Sequence, residues 1–189
     1  MRKNPARRTA LLDAAIEVLA REGSRGLTLR AIDKEAGVPT GTASNYFANR
    51  DELLAQVMRR TRERLTPDPE ALAETMRQAP SHELVAELMR QLLARMRGDR
   101  AGNLAMLELR LEATRRADLN AELSGFLTEE HREVVDYHLH AGLPGDRIGV
   151  ALLYFAMAGL IVDDLTVPAL LEPYSTDDLI QQMVRRLLP

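Results

Sequence analysis

Residues 37 to 47 read GVPTGTASNYF, and this stretch decides the fold. A glycine and a proline stand near its start, and a tyrosine and a phenylalanine close it. Between them lie three hydroxyl residues and one amide: Thr40, Thr42, Ser44 and Asn45. Because proline cannot lie deep inside a helix, the chain must turn here. The stretch therefore predicts a sharp turn followed by a short helix that carries hydrogen-bonding side chains.

The flanking sequence predicts further helices. Gly23 ends the first, since the left-handed conformation after a helix suits glycine. Thr28 caps the second, Gly37 stops it, and Asn49 caps the fourth. The four predicted helices cover residues 5–22, 28–36, 40–47 and 50–64. Two short helices joined by a tight glycine turn form a helix-turn-helix, whose second short helix enters the DNA major groove.

The third predicted helix has an inner and an outer side. At helical spacing Ala43, Tyr46 and Phe47 face inward, which leaves Thr42, Ser44 and Asn45 facing outward in part, with Thr40 at the N-terminal end. Hydroxyl and amide groups match the donors, acceptors and thymine methyls of base edges. Gly41 allows close backbone approach to the groove. The same residue types also crowd helix starts simply as caps, so capping alone stays an alternative.

Basic residues flank this segment and are candidates for phosphate contacts. Arg30 begins the second helix and Arg50 begins the fourth. An N-terminal arm adds Arg2, Lys3, Arg7 and Arg8. Residues 1–66 hold 13 Lys and Arg against 8 Asp and Glu, whereas residues 67–189 hold 12 against 20. A basic front on an acidic body favours a polyanionic partner such as DNA, with an uneven solvated surface as the alternative.

The remaining chain predicts an all-α protein. Its helices are expected near residues 82–97, 101–116, 119–141, 145–165 and 176–188, with no alternating strand pattern. Three prolines in the stretch from Leu65 to Ser81 interrupt the helical pattern and predict a boundary. We therefore expect a helix-turn-helix DNA-binding domain over 1–48, a connecting helix over 49–66, and a ligand-binding and dimerisation domain over 67–189.

LTLRAIDKEAGVPTGTASNYFANRDELL, residues 27 to 54, resembles the TetR family of bacterial transcription regulators. The matching residues are Thr28, Ala36, Gly37, Val38, Gly41, Thr42, Tyr46, Phe47, Arg50, Glu52 and Leu53. TALLDAAIEVLAREG, residues 9 to 23, also fits the family's first helix. The resemblance implies a homodimeric regulator, expected to be a repressor. It also implies that Arg30, Thr40, Gly41, Thr42, Asn45, Tyr46 and Arg50 lie at or near DNA.

Three residues depart from the family pattern. Asp33 stands where a small alanine is usual, and such a carboxylate is expected to find a basic partner or to tilt outward. Ala43 replaces a common leucine, and Ser44 replaces a common tyrosine that often touches the DNA backbone. The contacts at residues 43 and 44 therefore do not follow from the resemblance, although Ser44 stays a candidate DNA contact.

A palindromic operator needs two paired reading domains, so a dimer surface is expected. The helix near residues 145–165 is apolar on all sides, which is unusual for a monomer's surface. The last helix adds further apolar residues. The candidate interface residues are Ala151, Phe155, Ala158, Val162, Ile180, Met183, Val184 and Leu187. Filling of a monomer core is the alternative.

The middle helices are expected to enclose an effector pocket. Methionine adapts to varied apolar shapes, and a charge within apolar helices must be paired or must serve a ligand. The candidate pocket residues are Met89, Leu92, Met96, Met106, Leu109, Arg110, Phe126, Tyr137 and Tyr154. Ordinary core packing is the alternative for most of them. A bound effector would shift the helix over 50–64 and so release the operator.

Other classes of protein fit the sequence less well. There is no cysteine, no phosphate-binding glycine loop and no nucleophile motif, so no enzyme and no cofactor is expected. His131 and His138 share a helix face, but two ligands do not make a metal site. Asp13 and Glu17 interrupt any signal peptide, and the longest apolar run, 148–162, is short for a membrane span. A cytoplasmic regulator is expected, with a non-sensing architectural DNA-binding protein as its rival.

Overall fold

A computed structural model describes residues 4–188, which are all-α, as predicted. Helices make up 78% of the structure, and residues 4–188 contain no strand. The helices are α1 (Pro5–Gly26), α2 (Leu29–Glu35), α3 (Arg50–Leu65), α4 (Pro69–Thr75), α5 (His82–Gly98), α6 (Arg100–Ala113), α7 (Ala117–His140), α8 (Arg147–Thr166) and α9 (Thr176–Leu187). Short 3₁₀ helices lie at Ala43–Asn45 and Pro168–Leu170.

Helix α1 buries one apolar stripe and breaks at a glycine. Asn4 caps its start by accepting from the Ala6 N–H at 3.0 Å. The buried stripe comprises Leu11, Leu12, Ala14, Ala15, Ile16, Val18 and Leu19. Gly23 has φ +67° and ψ −177°, which is not helical. The regular helix therefore ends at Gly23 as predicted, and one further turn follows it.

The first of two compact units contains the chain up to Thr66 together with Asp99–Gly125. In it α1 packs against α2, α3 and α6, and α3 also packs against α6. Side chains from each of these helices are fully buried: Leu11 and Ile16 in α1, Ile32 in α2, Leu54 in α3 and Leu109 in α6. This unit carries the predicted helix-turn-helix.

The second unit contains Pro67–Gly98 and the chain from Phe126 onward. Helix α5 packs against α8 and α9, and α8 packs against α9. The core of the second unit includes Leu84, Val85, Ala86 and Leu93 of α5, Val135 of α7, Val150, Leu153, Met157 and Leu160 of α8, and Ile180 and Val184 of α9. The apolar C-terminal helices thus supply the core of this unit.

Each compact unit combines two separate stretches of the chain, whereas each predicted domain was one continuous stretch. Helix α6 lies beyond residue 66, yet it belongs to the first unit. The proline-rich boundary also holds a helix that the sequence analysis missed, α4. Pro69 occupies the first turn of α4, where a missing N–H costs nothing, and the Asp68 side chain caps it. Proline there starts a helix instead of interrupting one.

Candidate nucleic-acid interface

The predicted turn lies between α2 and the hydroxyl-rich stretch. The Ala36 N–H donates to the Ile32 carbonyl at 2.9 Å, which closes α2. Gly37 follows with φ +64°, and the Val38 N–H donates back to the Asp33 carbonyl at 3.0 Å. A left-handed glycine just after a helix lets the chain reverse without a side-chain clash. The turn at Gly37 is therefore as the sequence predicted.

The eight residues after Pro39, residues 40–47, are called the reader segment below. The sequence predicted an α-helix here, but the segment consists of turns around a 3₁₀ helix at Ala43–Asn45. The Asn45 N–H donates to the Thr42 carbonyl at 3.1 Å, and the Tyr46 N–H donates to the Ala43 carbonyl at 2.9 Å. These bonds span three residues instead of four, so the coil is tighter than an α-helix.

Local chemistry explains this difference. Gly41 has φ +92°, outside the helical region. The Thr42 hydroxyl donates to the Pro39 carbonyl at 2.6 Å, and the Ser44 hydroxyl donates to the Gly41 carbonyl at 2.7 Å. The Asn45 side-chain amide also donates to the Gly41 carbonyl, at 3.1 Å. Such side chains compete with helical backbone bonding and favour turns.

The inner side of the reader segment is as predicted. Ala43, Tyr46 and Phe47 are all buried. Only 6% of Tyr46 is exposed, so its ring offers little surface to DNA. The Tyr46 carbonyl instead accepts from the Arg8 guanidinium at 3.3 Å. Tyr46 therefore anchors the buried side of the reader segment.

The outer side carries the polar groups. Thr40, Gly41, Ser44 and Asn45 are exposed, and Thr42 is half-buried. The Thr42 and Ser44 hydroxyls each donate to a nearby backbone carbonyl, which leaves their oxygen lone pairs as acceptors for other partners. Asn45 keeps its side-chain oxygen and one N–H for other partners. The segment thus offers both acceptors and a donor on one exposed surface.

Asp33 corrects an expectation. Among residues 4–188 its carboxylate has no basic partner, and it does not tilt outward, although one or the other was expected. Only 2% of Asp33 is exposed, and its two oxygens accept from the Gly41 N–H and the Ala43 N–H, each at 2.7 Å. The carboxylate therefore holds the start of the reader segment. The departure from the family pattern was visible in the sequence, but this bonding was not.

The candidate phosphate contacts differ in how available they are. Arg30 and Arg7 are exposed, and neither makes a side-chain hydrogen bond or ion pair within residues 4–188. Arg2 and Lys3 lie outside the described residues. The Arg8 guanidinium reaches the Tyr46 carbonyl, and its Nε is buried without a partner. Of the candidate phosphate contacts within residues 4–188, Arg30 and Arg7 are thus the two that remain open to a polyanion.

Arg50 is engaged inside the protein. Its guanidinium donates to the Leu27 carbonyl at 2.9 Å and to the Ser24 carbonyl at 2.5 Å. It also donates to the Ser24 hydroxyl at 2.9 Å. The side chain closes the loop that follows α1, so in this conformation it braces the fold and is not open to a phosphate. No pattern in the sequence pointed to Ser24 and Leu27 as its acceptors.

Charged groups bond helix α6 and the residue before it to other parts of the first unit. The Ser24 N–H donates to the Glu108 carboxylate at 3.3 Å. The Arg64 guanidinium bonds Asp99 at 2.5 Å, just before α6 begins. Burial alone would raise the pKa of Asp99, but the hydrogen bonds from Arg64 and the Gly102 N–H hold it below its ordinary value. A hydrogen bond from Arg116 likewise lowers the pKa of Glu112.

The candidate pocket residues fall into both compact units. Met106, Leu109 and Arg110 belong to the first, where Leu109 is fully buried and Arg110 is exposed. The other six belong to the second: Met89, Leu92, Met96, Phe126, Tyr137 and Tyr154. Among these, Met89 and Leu92 pack against the core and Tyr137 is 49% exposed.

Tyr154 belongs to an aromatic cluster that sequence reasoning did not identify. Its ring meets the His131 ring edge-on, with centroids 4.8 Å apart. The His131 ring also stacks on Phe155 at 5.7 Å, and its Nε2 is buried without a hydrogen-bond partner. This cluster joins α7 to α8 within the second unit.

The candidate dimer residues separate into two groups. Ile180 and Val184 are each 1% exposed and pack in the chain's own core, so they have no surface for a partner. Phe155 is 63% exposed, and the others are half-buried: Ala151, Ala158, Val162, Met183 and Leu187. Two further apolar side chains of α8, Ile148 and Leu152, are also exposed.

Metal-ligating side chains and the apolar length of α8 bear on two other kinds of site. Among the described residues no three His, Cys, Asp or Glu side chains group so as to hold a metal. His138 is buried, and its ring bonds the Pro144 carbonyl at 2.8 Å. Helix α8 is long and apolar enough to cross a membrane by length and composition, but a single such helix is weak evidence, because core helices pass the same test.

Solved structures share this architecture. The multidrug binding protein EbrR, in its complex with imidazole, is 27% identical with a TM-score of 0.68, covering 98% of this chain and 97% of that one. A member of the TetR family from Streptomyces coelicolor A3, SCO1917, is 28% identical with a TM-score of 0.72 over 98% and 99% of the two chains. EbrR has also been solved with ethidium and with malachite green.

Curated relatives match part of the chain. The HTH-type transcriptional regulator BetI of Rhizobium meliloti (strain 1021) is 35% identical over 86 residues, which is 46% of this chain. BetI of Agrobacterium fabrum is 40% identical over 55 residues, 29% of this chain. The aligned part spans 41% of the length of the Rhizobium protein and 27% of the Agrobacterium protein. These relatives are regulators, not enzymes.

Two family profiles cover most of the sequence. Residues 11–57 match the bacterial regulatory proteins of the tetR family, and residues 80–189 match the tetracyclin repressor-like C-terminal domain. The first match contains α2, the turn at Gly37 and the reader segment. The second alone takes in more than half of the chain. The exposed polar surface of residues 40–45 thus lies within a helix-turn-helix of known type, and the chain belongs to the TetR family of bacterial regulatory proteins.

Proposed function

We propose that this TetR-family regulator is a cytoplasmic repressor that binds a palindromic operator as a homodimer and is released by a small-molecule effector. The observation that carries the proposal is the exposed polar surface of the reader segment, held from below by Ala43, Tyr46 and Phe47. Rigid support of this kind is what sequence reading requires, since a mobile segment would lose entropy on binding.

The reader segment supplies the base contacts in this proposal. Asn45 is suited to adenine, which offers an acceptor and a donor side by side in the major groove. The remaining lone pairs of Thr42 and Ser44 suit exocyclic amines of adenine or cytosine. Thr40 and the open backbone at Gly41 complete the reading surface. Base contacts of this kind set the choice of sequence.

Arg30 and Arg7 supply phosphate contacts, which set affinity and register. The exposure of both side chains and their lack of partners within residues 4–188 support this role. Arg50 acts instead through the fold, because its guanidinium bonds Ser24 and Leu27. The proposal therefore keeps Arg50 beside the interface as a brace and not as a contact.

The homodimer is supported by exposed apolar side chains on α8. Ile148, Leu152 and Phe155 are 66%, 51% and 63% exposed, and their spacing places them on one side of the helix. These three residues are called the α8 outer face below. An apolar stripe of this kind on an otherwise charged protein marks an interaction surface. A second copy covers it, because a palindromic operator requires two reading domains.

The effector domain is supported by the C-terminal family match and by the similarity to EbrR, which has been solved with ethidium and malachite green. Aromatic side chains in the second unit, such as Tyr154 and Phe126, suit an aromatic or apolar compound. The effector and the operator must weaken each other's binding by equal factors. Titration of each ligand in the presence of the other measures both factors.

Selection from a pool of random duplexes tests the central proposal. The purified full chain is expected to enrich one palindrome, and size-exclusion chromatography with light scattering is expected to give a dimer. The same palindrome should occur in the DNA upstream of its own or a neighbouring gene. Equal binding of all duplexes, or a stable monomer, would overturn the proposal and favour an architectural DNA-binding role.

A further inference from the structure

The carboxylate of Asp33 is buried in an unusual setting. It lies on α2, only 2% of the residue is exposed, and no Lys or Arg of the described residues pairs with it. Its partners are two backbone donors, the Gly41 N–H and the Ala43 N–H, each at 2.7 Å. A buried carboxylate is costly unless it is well bonded, so this arrangement requires that both donors stay in place.

One of the two residues that Asp33 bonds, Gly41, also bonds exposed polar side chains of the reader segment. Gly41 donates to Asp33 through its N–H, while its carbonyl accepts from the Ser44 hydroxyl at 2.7 Å and from the Asn45 amide at 3.1 Å. Gly41 has φ +92°, and apart from its chain neighbours the place where a Cβ would stand is open. Because Gly41 has no side chain to pack, its N–H bond to the Asp33 carboxylate is a contact that ties it to α2.

We propose that Asp33 is a positioning residue for sequence reading. It fixes the reader segment, before DNA arrives, in the conformation that presents Ser44 and Asn45 outward. The inference rests on the proposed DNA-binding function and names the residue that shapes its reading surface. Preorganisation of this kind removes the cost of ordering the segment on binding.

Two substitutions separate the parts of this role. Asp33→Asn keeps the size of the side chain but turns an amide N–H₂ toward one of the two backbone donors. Asp33→Ala removes both acceptors and leaves two N–H groups unsatisfied. Glu35→Gln is the matched control, since it makes the same charge change on α2 and its carboxylate bonds Arg21, away from the reader segment.

The first measurement is hydrogen exchange of individual amides in the full chain without DNA. In Asp33→Ala both the Gly41 and the Ala43 amide, and in Asp33→Asn at least one of them, are expected to exchange about tenfold faster or more, given the cost of losing a hydrogen bond. The Ile32 amide, which bonds the Thr28 carbonyl at 3.0 Å within α2, should keep its wild-type rate. A merely structural role would instead speed all these amides together.

The second measurement is DNA binding at one salt concentration. We expect affinity for the selected palindrome to fall about 10- to 100-fold, because one backbone donor loses its partner in Asp33→Asn and both donors lose it in Asp33→Ala. Affinity for an unrelated duplex should stay within about twofold, because phosphate contacts provide it. Glu35→Gln should match the wild type on both duplexes.

Each result has a distinct meaning. Wild-type affinity of Asp33→Asn and Asp33→Ala for the palindrome, or unchanged exchange of the Gly41 and Ala43 amides, would overturn the inference alone. If the wild type itself prefers no duplex, the proposed function fails and the reading role fails with it. The two failures are distinguishable because only the second abolishes selection by the wild type.

Discussion

The reader segment and the α8 outer face are both exposed, yet they expose opposite kinds of group. The first presents hydroxyl and amide groups on residues 40–45, over the buried rings of Tyr46 and Phe47. The second presents three large apolar side chains and no charge. A wet, polar partner with patterned donors suits the first, and a dry, apolar partner suits the second.

The difference also lies in what holds each surface. The reader segment depends on specific hydrogen bonds, notably those of Asp33, because it is too short to be a stable helix by itself. The α8 outer face belongs to a 20-residue helix whose other side is packed in a core. Small changes should therefore disturb the first surface, whereas the second should tolerate substitution without unfolding the chain.

The largest expected effect comes from charging the α8 outer face. In Leu152→Glu with Phe155→Glu, an uncompensated charge in an apolar interface costs about 3–5 kcal/mol, so the dimer should dissociate. Operator affinity should then fall about 100-fold or more, since the second reading domain no longer binds intramolecularly. Sedimentation equilibrium and operator titration measure both effects.

Leu170→Glu is the control for that variant. Leu170 is also exposed and apolar, but it lies in the 3₁₀ helix after α8. It should leave the dimer and the operator affinity unchanged. A dimer that survives both glutamates on α8 would show that the α8 outer face is not the interface.

The next effect concerns the reader segment. Thr42→Ala and Asn45→Ala should each reduce discrimination between the operator and a mismatched site by about 1–3 kcal/mol, because each removes a base contact. Binding to unrelated DNA should change little. Competition titrations with single-base operator variants measure this, with the exposed Thr128→Ala on α7 as control. Undiminished discrimination in both variants would exclude base reading by these side chains.

A smaller effect should separate two arginines. Arg30→Gln is expected to weaken binding to every duplex alike and to lower the slope of log affinity against log salt by about one. Arg50→Gln should leave that slope unchanged and instead destabilise the fold by about 1.5–3 kcal/mol, as hydrogen bonds from a charged donor are lost. Salt titrations and urea unfolding measure the two quantities. An altered salt slope in Arg50→Gln would place Arg50 on the DNA.

The smallest effect concerns pH. Hydrogen bonds from Arg64 and Gly102 hold the pKa of Asp99 below its ordinary value, against the effect of burial. The pKa of an aspartate is about 3.9 in the unfolded chain. A carboxyl whose pKa is lower than this in the folded state stabilises the fold at pH values above its unfolded pKa. This contribution is lost as the pH falls through the folded pKa. Asp99→Asn should therefore cost about 1 kcal/mol at pH 7 and much less near pH 2.

Urea unfolding at both pH values measures this difference, and the exposed Glu172→Gln serves as the control. An equal cost of Asp99→Asn at the two pH values would show that the charge of Asp99 is not what ties it to Arg64.

The helices were largely predictable because their signals are local. The Thr28 and Asn49 caps and the breaks at Gly23 and Gly37 depend on a few neighbouring residues. Two segments were predicted wrongly because more than one structure suits their residues. The reader segment is not an α-helix because its own side chains bond its carbonyls, and α4 begins at a proline that had been interpreted as an interruption.

The candidate site was predictable by type but not by role. Exposed hydroxyl and amide groups on residues 40–45 and buried aromatics beneath them followed from spacing alone. Arg50 is the contrary case, because a basic residue at a helix start looks like a phosphate contact until its acceptors, 23 and 26 residues earlier in the chain, are known. Asp33 likewise reaches 8 and 10 residues along the chain.

Local sequence suffices to predict that this chain is all-α, that it turns at Gly37, and that polar residues follow the turn, because propensity, capping and periodicity act between near neighbours. The bonds from Asp33 to the reader segment, the bonds from Arg50 to Ser24 and Leu27, and the burial of Ile180 but not of Phe155 become known only from the folded chain. These outcomes depend on which groups meet after the helices pack, and packing brings together residues that no local pattern connects.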